Sequence, residues 1–119
     1  MYTQKTIQYF SKPRNMGELK DFDTRASGGN PLCGDVVSLW IKFDAGRKKI
    51  AEIKFKAFGC GACIASSSAL TEMVKGKSIS EIEKITREDV SEYLDGLPES
   101  KIKCSGFSVD VLKKALKDA

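Results

Sequence analysis

The hydrophobic pattern of this chain changes period at Phe58-Gly59-Cys60-Gly61, and no single element can run through such a change. Before it, residues 35–43 alternate, with Val37, Leu39, Ile41 and Phe43 on one face. Residues 48–57 follow a turn at 44–47 and keep Ile53, Phe55 and Ala57 in register. Two alternating runs around a tight turn predict an antiparallel hairpin. After the change, residues 62–75 carry Ala65, Ala69, Leu70, Met73 and Val74 on one side of a helix, and Gly76 is placed as its left-handed cap. A hairpin thus feeds directly into a helix, and the junction holds Cys60 and Cys63.

The remaining segments extend this order. Residues 2–11 read as a short amphipathic helix stopped by Pro13, because proline disfavours helical geometry in the residue before it. Residues 17–34 are rich in Gly and Asp, and Gly28-Gly29-Asn30-Pro31 reads as a loop. Ser78 and Glu81 have capping-box spacing and open a short helix through Ile85. Another helix begins at Thr86 and ends at Gly96 and Pro98. A last amphipathic helix over 105–118 uses Phe107, Val111, Leu112, Ala115 and Leu116. Helix, hairpin, then helices make the class α+β, in one domain over residues 1–119.

Composition removes several functions. No apolar run approaches the roughly 20 residues needed to cross a bilayer. The amino terminus MYTQKTIQYF lacks a signal peptide's charged start and long apolar stretch. Both point to the cytoplasm, where thiols stay reduced and a cysteine set indicates metal or redox chemistry rather than disulfides. The net charge of +4 is spread among alternating signs, and Arg47-Lys48-Lys49 reads as a solvated turn. No broad basic face with interleaved aromatics appears, which argues against nucleic acid. The chain has no histidine, so the commonest metal ligand and general base is missing. Its chemistry must run on thiols, carboxylates and lysines.

The four cysteines are Cys33, Cys60, Cys63 and Cys104, with only Cys60 and Cys63 closely spaced. A zinc ribbon normally shows two close pairs. The four nevertheless sit at loop ends that a hairpin and its helices can gather at one pole, as a metal or cluster site assembled by the fold. Cys60-Gly61-Ala62-Cys63 also follows a strand and opens a helix, where a helix N-terminus favours a thiolate. That is the placement of a thiol–disulfide oxidoreductase, although such a fold expects a βαβ unit before this point. Cys63 equally suits a small buried position on the helix.

Six ordered stretches carry a more specific signal: Pro13-Arg14-Asn15-Met16-Gly17, Asn30-Pro31-Leu32-Cys33-Gly34-Asp35, Phe58-Gly59-Cys60-Gly61, Ile64-Ala65-Ser66-Ser67-Ser68, Val74-Lys75-Gly76-Lys77-Ser78 and Lys101-Ile102-Lys103-Cys104-Ser105. From about residue 3 to its end the chain closely resembles the U-type iron–sulfur cluster scaffolds, IscU and the amino-terminal domain of NifU. The resemblance implies a three-stranded antiparallel sheet with helices on one face, its third strand lying before Cys33. It implies a scaffold rather than an enzyme: a cysteine desulfurase delivers persulfide sulfur, a [2Fe–2S] cluster is built, and apo-proteins receive it. Cys33, Cys60 and Cys104 become cluster ligands and sulfur acceptors, and Asp35 falls on the motif's aspartate. Soft thiolates suit iron and sulfide, whereas a carboxylate near one iron suits a cluster that must leave.

Two departures from the family pattern matter. IscU-type members carry histidine before the last cysteine, and here Lys103 stands there, a cation favouring the Cys104 thiolate. The fourth ligand is therefore open among Asp35, Cys63 and an outside thiol, with Lys103 adjacent. Leu97-Pro98-Glu99-Ser100-Lys101 replaces the Leu-Pro-Pro-Val-Lys of chaperone-dependent members, which argues against dedicated DnaK-type release. Both departures are also found in SufU-like relatives, which bind zinc and relay sulfur. Those relatives carry a longer segment before the last cysteine than the one between Gly76 and Cys104.

Overall fold

Three strands and five α-helices follow one another in a computed structural model that describes residues 2–30 and 34–119, apart from the side chains of Asn30, Cys104 and Ser105. Helix α1 (Gln4–Ser11) precedes β1 (Thr24–Asn30), β2 (Asp35–Phe43) and β3 (Ile50–Phe58). Then come α2 (Gly61–Val74), α3 (Ile79–Ile82), α4 (Arg87–Tyr93), one 3-10 turn (Glu99–Lys101) and α5 (Ile102–Lys117). The sheet is antiparallel in the order β1-β2-β3. Its inner face buries Val37, Leu39, Ile41, Phe43, Ile53, Phe55 and Ala57 under α2 and α5. The α+β class and the three-stranded sheet expected from the resemblance are those of the structure. No helix among the described residues is long and apolar enough to cross a membrane.

The hairpin forms where alternation placed it, with one adjustment. Asp44 Oδ1 accepts the backbone N–H groups of Lys48 and Lys49 at 2.9 and 3.2 Å, holding Arg47, Lys48 and Lys49 in an exposed turn. Pairing therefore starts at Ile50 rather than Lys48. The register slips between Lys42 and Phe43, and this bulge resets the phase so that Ile50 and Ile53 are both buried.

Of residues 28–31, expected as a loop, 28–30 instead complete β1, and Pro31 lies outside the described residues. The strand has no apolar alternation because its inner side lies directly under α5 and needs small residues. A Cβ on Gly28 would stand 2.9 Å from Val111 Cγ2, and Thr24 Oγ1 donates to the Ala115 carbonyl at 2.8 Å. Packing, not propensity, makes this strand.

Helix α2 is not one-sided as expected. Ser66, Ser67, Ser68 and Thr71 are buried along with its apolar residues, since α1 and the Pro13–Gly17 stretch cover its other side. Arg14 N–H donates to Ser68 Oγ at 2.7 Å, and Asn15 Nδ2 donates to Thr71 Oγ1 at 3.0 Å. The same stretch bonds the edge of β3 through Gly17 N–H to the Phe55 carbonyl at 2.8 Å. Both predicted caps form. Gly76 has φ +82°, and the Ser78–Glu81 box closes on both sides, although α3 ends at Ile82 instead of Ile85. Helix α5 begins at Ile102, three residues earlier than expected, because the 3-10 turn winds directly into it. Lys103 and Cys104 thus fall in its first turn, not ahead of it.

Candidate metal centre

The sheet register decides which donors meet. Asn30 pairs with Asp35, and Val36 pairs with Phe58, so the end of β1, the start of β2 and the end of β3 share one edge of the molecule. Gly59 then turns the chain out of β3, and Cys60 caps α2 with an extended backbone of φ −71° and ψ 165°. The N-terminal half of α5 lies at this pole too, since Phe107 and Val111 pack on Gly28.

Asp35 and Cys60 meet here. Asp35 is only 2% exposed. Its Oδ1 accepts the Cys60 backbone N–H at 3.2 Å, and its Oδ2 lies 4.0 Å from Cys60 Sγ. Gly59 makes this approach geometrically feasible: a Cβ there would fall 2.0 Å from Asp35 Oδ1, with φ at +151°. The close approach needs a residue without a side chain. The nearly parallel N–H groups at the start of a 14-residue helix add partial positive charge at this pole. That field suits an anion.

Cys63 lies one helical turn inside, fully buried in the hydrophobic core. This is the small buried position that the helix periodicity allowed. Lys103 is exposed in the first turn of α5. Cys33 lies outside the described residues, and so does the side chain of Cys104. Among the described residues no three cysteine, aspartate or glutamate side chains converge as a complete metal site. Asp35 and Cys60 are the pair that the structure brings together.

Two further features border the site. Val36 and Phe58, paired across β2 and β3, are 42% and 72% exposed and form an apolar lip beside Asp35 and Cys60. Their signal in the sequence was an apolar residue on the outward phase of each alternating strand. Phe10 of α1 packs over Gly61, where a Cβ would stand 3.5 Å from its ring.

Residues 1–119 match the family described as the NifU-like N terminal domain. Similar proteins include "Iron-sulfur cluster assembly scaffold protein IscU 1" of Archaeoglobus fulgidus, 48% identical over 99% of this chain and 76% of that one. The corresponding IscU scaffold protein of Aquifex aeolicus is 44% identical over 98% of this chain and 74% of its own. A solved structure from Fervidobacterium islandicum AW-1, described as a scaffold protein for the SUF system, shares the fold with a TM-score of 0.79 at 23% identity, covering 97% of this chain and 96% of that one. With its whole length matched and close to half its residues shared with IscU relatives, the chain belongs to the NifU-like N-terminal domain family.

Proposed function

We propose that this protein is a scaffold on which an iron–sulfur cluster is assembled and then handed to apo-proteins. The observation that carries the reading is the meeting of Cys60 Sγ with the buried Asp35 carboxylate, 4.0 Å apart at the start of α2. One soft and one hard donor side by side suit a cargo that is held and then released, because an oxygen ligand on iron exchanges more readily than a thiolate. Cys33, Cys60 and Cys104 supply the thiolates, Asp35 the labile position, and Lys103 a cation beside Cys104. The cargo is a [2Fe–2S] cluster, its sulfur arriving as persulfide from a cysteine desulfurase with Cys104 as the main acceptor.

The exposed Val36–Phe58 lip is the surface we assign to transient docking of sulfur-donor and acceptor proteins, since an exposed apolar pair beside a site marks interaction. The segment after α4 argues against dedicated chaperone release. Leu97 is buried, and Glu99–Lys101 is wound into a 3-10 turn rather than left as an extended apolar strand.

The test is anaerobic reconstitution with iron, cysteine and a desulfurase, followed by the visible spectrum and by iron, zinc and sulfide analysis. The expected result is [2Fe–2S] absorption with acid-labile sulfide close to stoichiometric with iron. Bound zinc without colour would replace the scaffold by a zinc-binding sulfur relay, and rapid disulfide-reductase turnover would replace it by an oxidoreductase.

A further inference from the structure

Cluster sulfur is sulfide, whereas persulfide delivers sulfur two electrons more oxidised. A protein that builds clusters from persulfide needs those two electrons at the site. The scaffold reading leaves Cys63 without a task, although its thiol stands one helical turn from Cys60.

The geometry suits a dithiol. Cys63 N–H donates to the Cys60 carbonyl at 3.0 Å, closing the first turn between them. Cys60 caps α2 and Cys63 is its third residue, so the two lie within the first turn. Helical side chains also lean toward the N-terminus, the end of α2 that Cys60 caps. Cys60 has an extended, non-helical backbone, so its side chain is not held in the helical array that fixes Cys63. The burial differs as the task requires: Cys60 is half-buried and reached from the pole, while Cys63 is 0% exposed and shielded from outside oxidants.

We propose that Cys63 is the internal reductant of sulfur delivery, releasing sulfane sulfur from Cys60 as hydrosulfide. The proposal rests on the scaffold reading. With a persulfide anion on Cys60, which accepts sulfur alongside the main acceptor Cys104, the Cys63 sulfur attacks the Cys60 Sγ atom. The Cys60–Cys63 disulfide bond forms, the sulfur–sulfur bond of the persulfide breaks, and the terminal sulfur leaves as HS⁻ with the Cys63 proton. Sulfane sulfur gains two electrons and the two cysteines lose them. An external dithiol then reduces the disulfide, so one dithiol is oxidised for each sulfide supplied.

The experiment uses the full chain, reduced, desalted and kept anaerobic without added thiol. It is loaded with inorganic polysulfide, desalted again, and followed by sulfide assay and peptide mass mapping. Wild type should release about one sulfide per chain and yield a Cys60–Cys63 peptide about 2 Da lighter than the reduced form. Cys63→Ala and Cys63→Ser should keep a Cys60 peptide about 32 Da heavier and release sulfide at least tenfold more slowly. The proposal is overturned if the wild-type peptide keeps its extra sulfur with no disulfide, an outcome that needs no variant. It is also overturned if Cys63→Ala, with a melting curve like wild type, releases sulfide at the wild-type rate. Absence of sulfane sulfur from every cysteine in all three proteins would overturn the sulfur-acceptor reading and the proposal together, whereas sulfur held on Cys60 in all three would sink only the proposal.

Discussion

Gly59→Ala is the sharpest perturbation of the site, because it adds one methyl group next to a buried carboxylate. The new Cβ would lie 2.0 Å from Asp35 Oδ1, 2.6 Å from Cγ and 3.0 Å from Cβ. Rotating Asp35 relieves the first two contacts but not the third, whose position the β2 backbone fixes. Rotation also breaks the bond from Cys60 N–H, and a hydrogen bond to a charged group contributes about 1.5–3 kcal/mol. The φ of +151° at Gly59 adds about 1–3 kcal/mol of backbone strain for any L side chain. Together these give a loss of roughly 2.5–6 kcal/mol. At about 4 °C per kcal/mol for a domain of this size, the melting temperature should fall by about 10–24 °C. Thermal unfolding followed by circular dichroism measures it. Asp35→Ala should relieve the two closest contacts, so the double variant should lose about 1.5–3 kcal/mol less than the sum of the single variants. A Gly59→Ala protein melting within about 3 °C of wild type, or strictly additive variants, would refute the coupling of Gly59 to Asp35.

Asp35→Ala should hold its reconstituted cluster longer in air and transfer it more slowly to an apo-ferredoxin; faster loss in a side-by-side time course would make Asp35 a holding ligand instead of an exit route. Cys104→Ser should lose most of the persulfide that a desulfurase deposits, read as the added sulfur on the Cys104 peptide, and undiminished loading would move the acceptor elsewhere. Burial and the hydrogen bond with Tyr9 raise the Tyr93 phenol from 10.0 to about 12. The folded value lies above the unfolded one, so the stability held by the neutral phenol is complete below pH 10 and is lost as pH rises toward 12. The 295-nm titration of wild type minus Tyr93→Phe should show this late ionisation, and a difference curve centred near pH 10 would contradict it. Among the described residues Ser66 Oγ is buried with no hydrogen-bond partner, and such a hydroxyl costs about 1–3 kcal/mol. Ser66→Ala should therefore raise the melting temperature by several degrees, and a fall would show that the hydroxyl is partnered in the working protein.

What could be read from the residues alone was what short-range chemistry dictates. Period-two alternation in β2, helical spacing in α2, the Ser78–Glu81 box and the cap at Gly76 are each set by neighbours within a turn or a strand. The donor types were equally legible, since a chain without histidine has thiols and carboxylates left. Strand β1 was not legible from local pattern, because Gly28 and Thr24 suit a strand only once α5 lies across them. The buriedness of the serines in α2 depends likewise on α1 and on the stretch after it. Asp35 and Cys60 stand 25 residues apart, and their separate motifs carry no sign that one accepts a hydrogen bond from the other. The register between β2 and β3, together with the missing side chain at Gly59, settles that contact. Local propensity acts over a few residues, whereas a site is made by the tertiary packing that fixes which strand ends lie side by side.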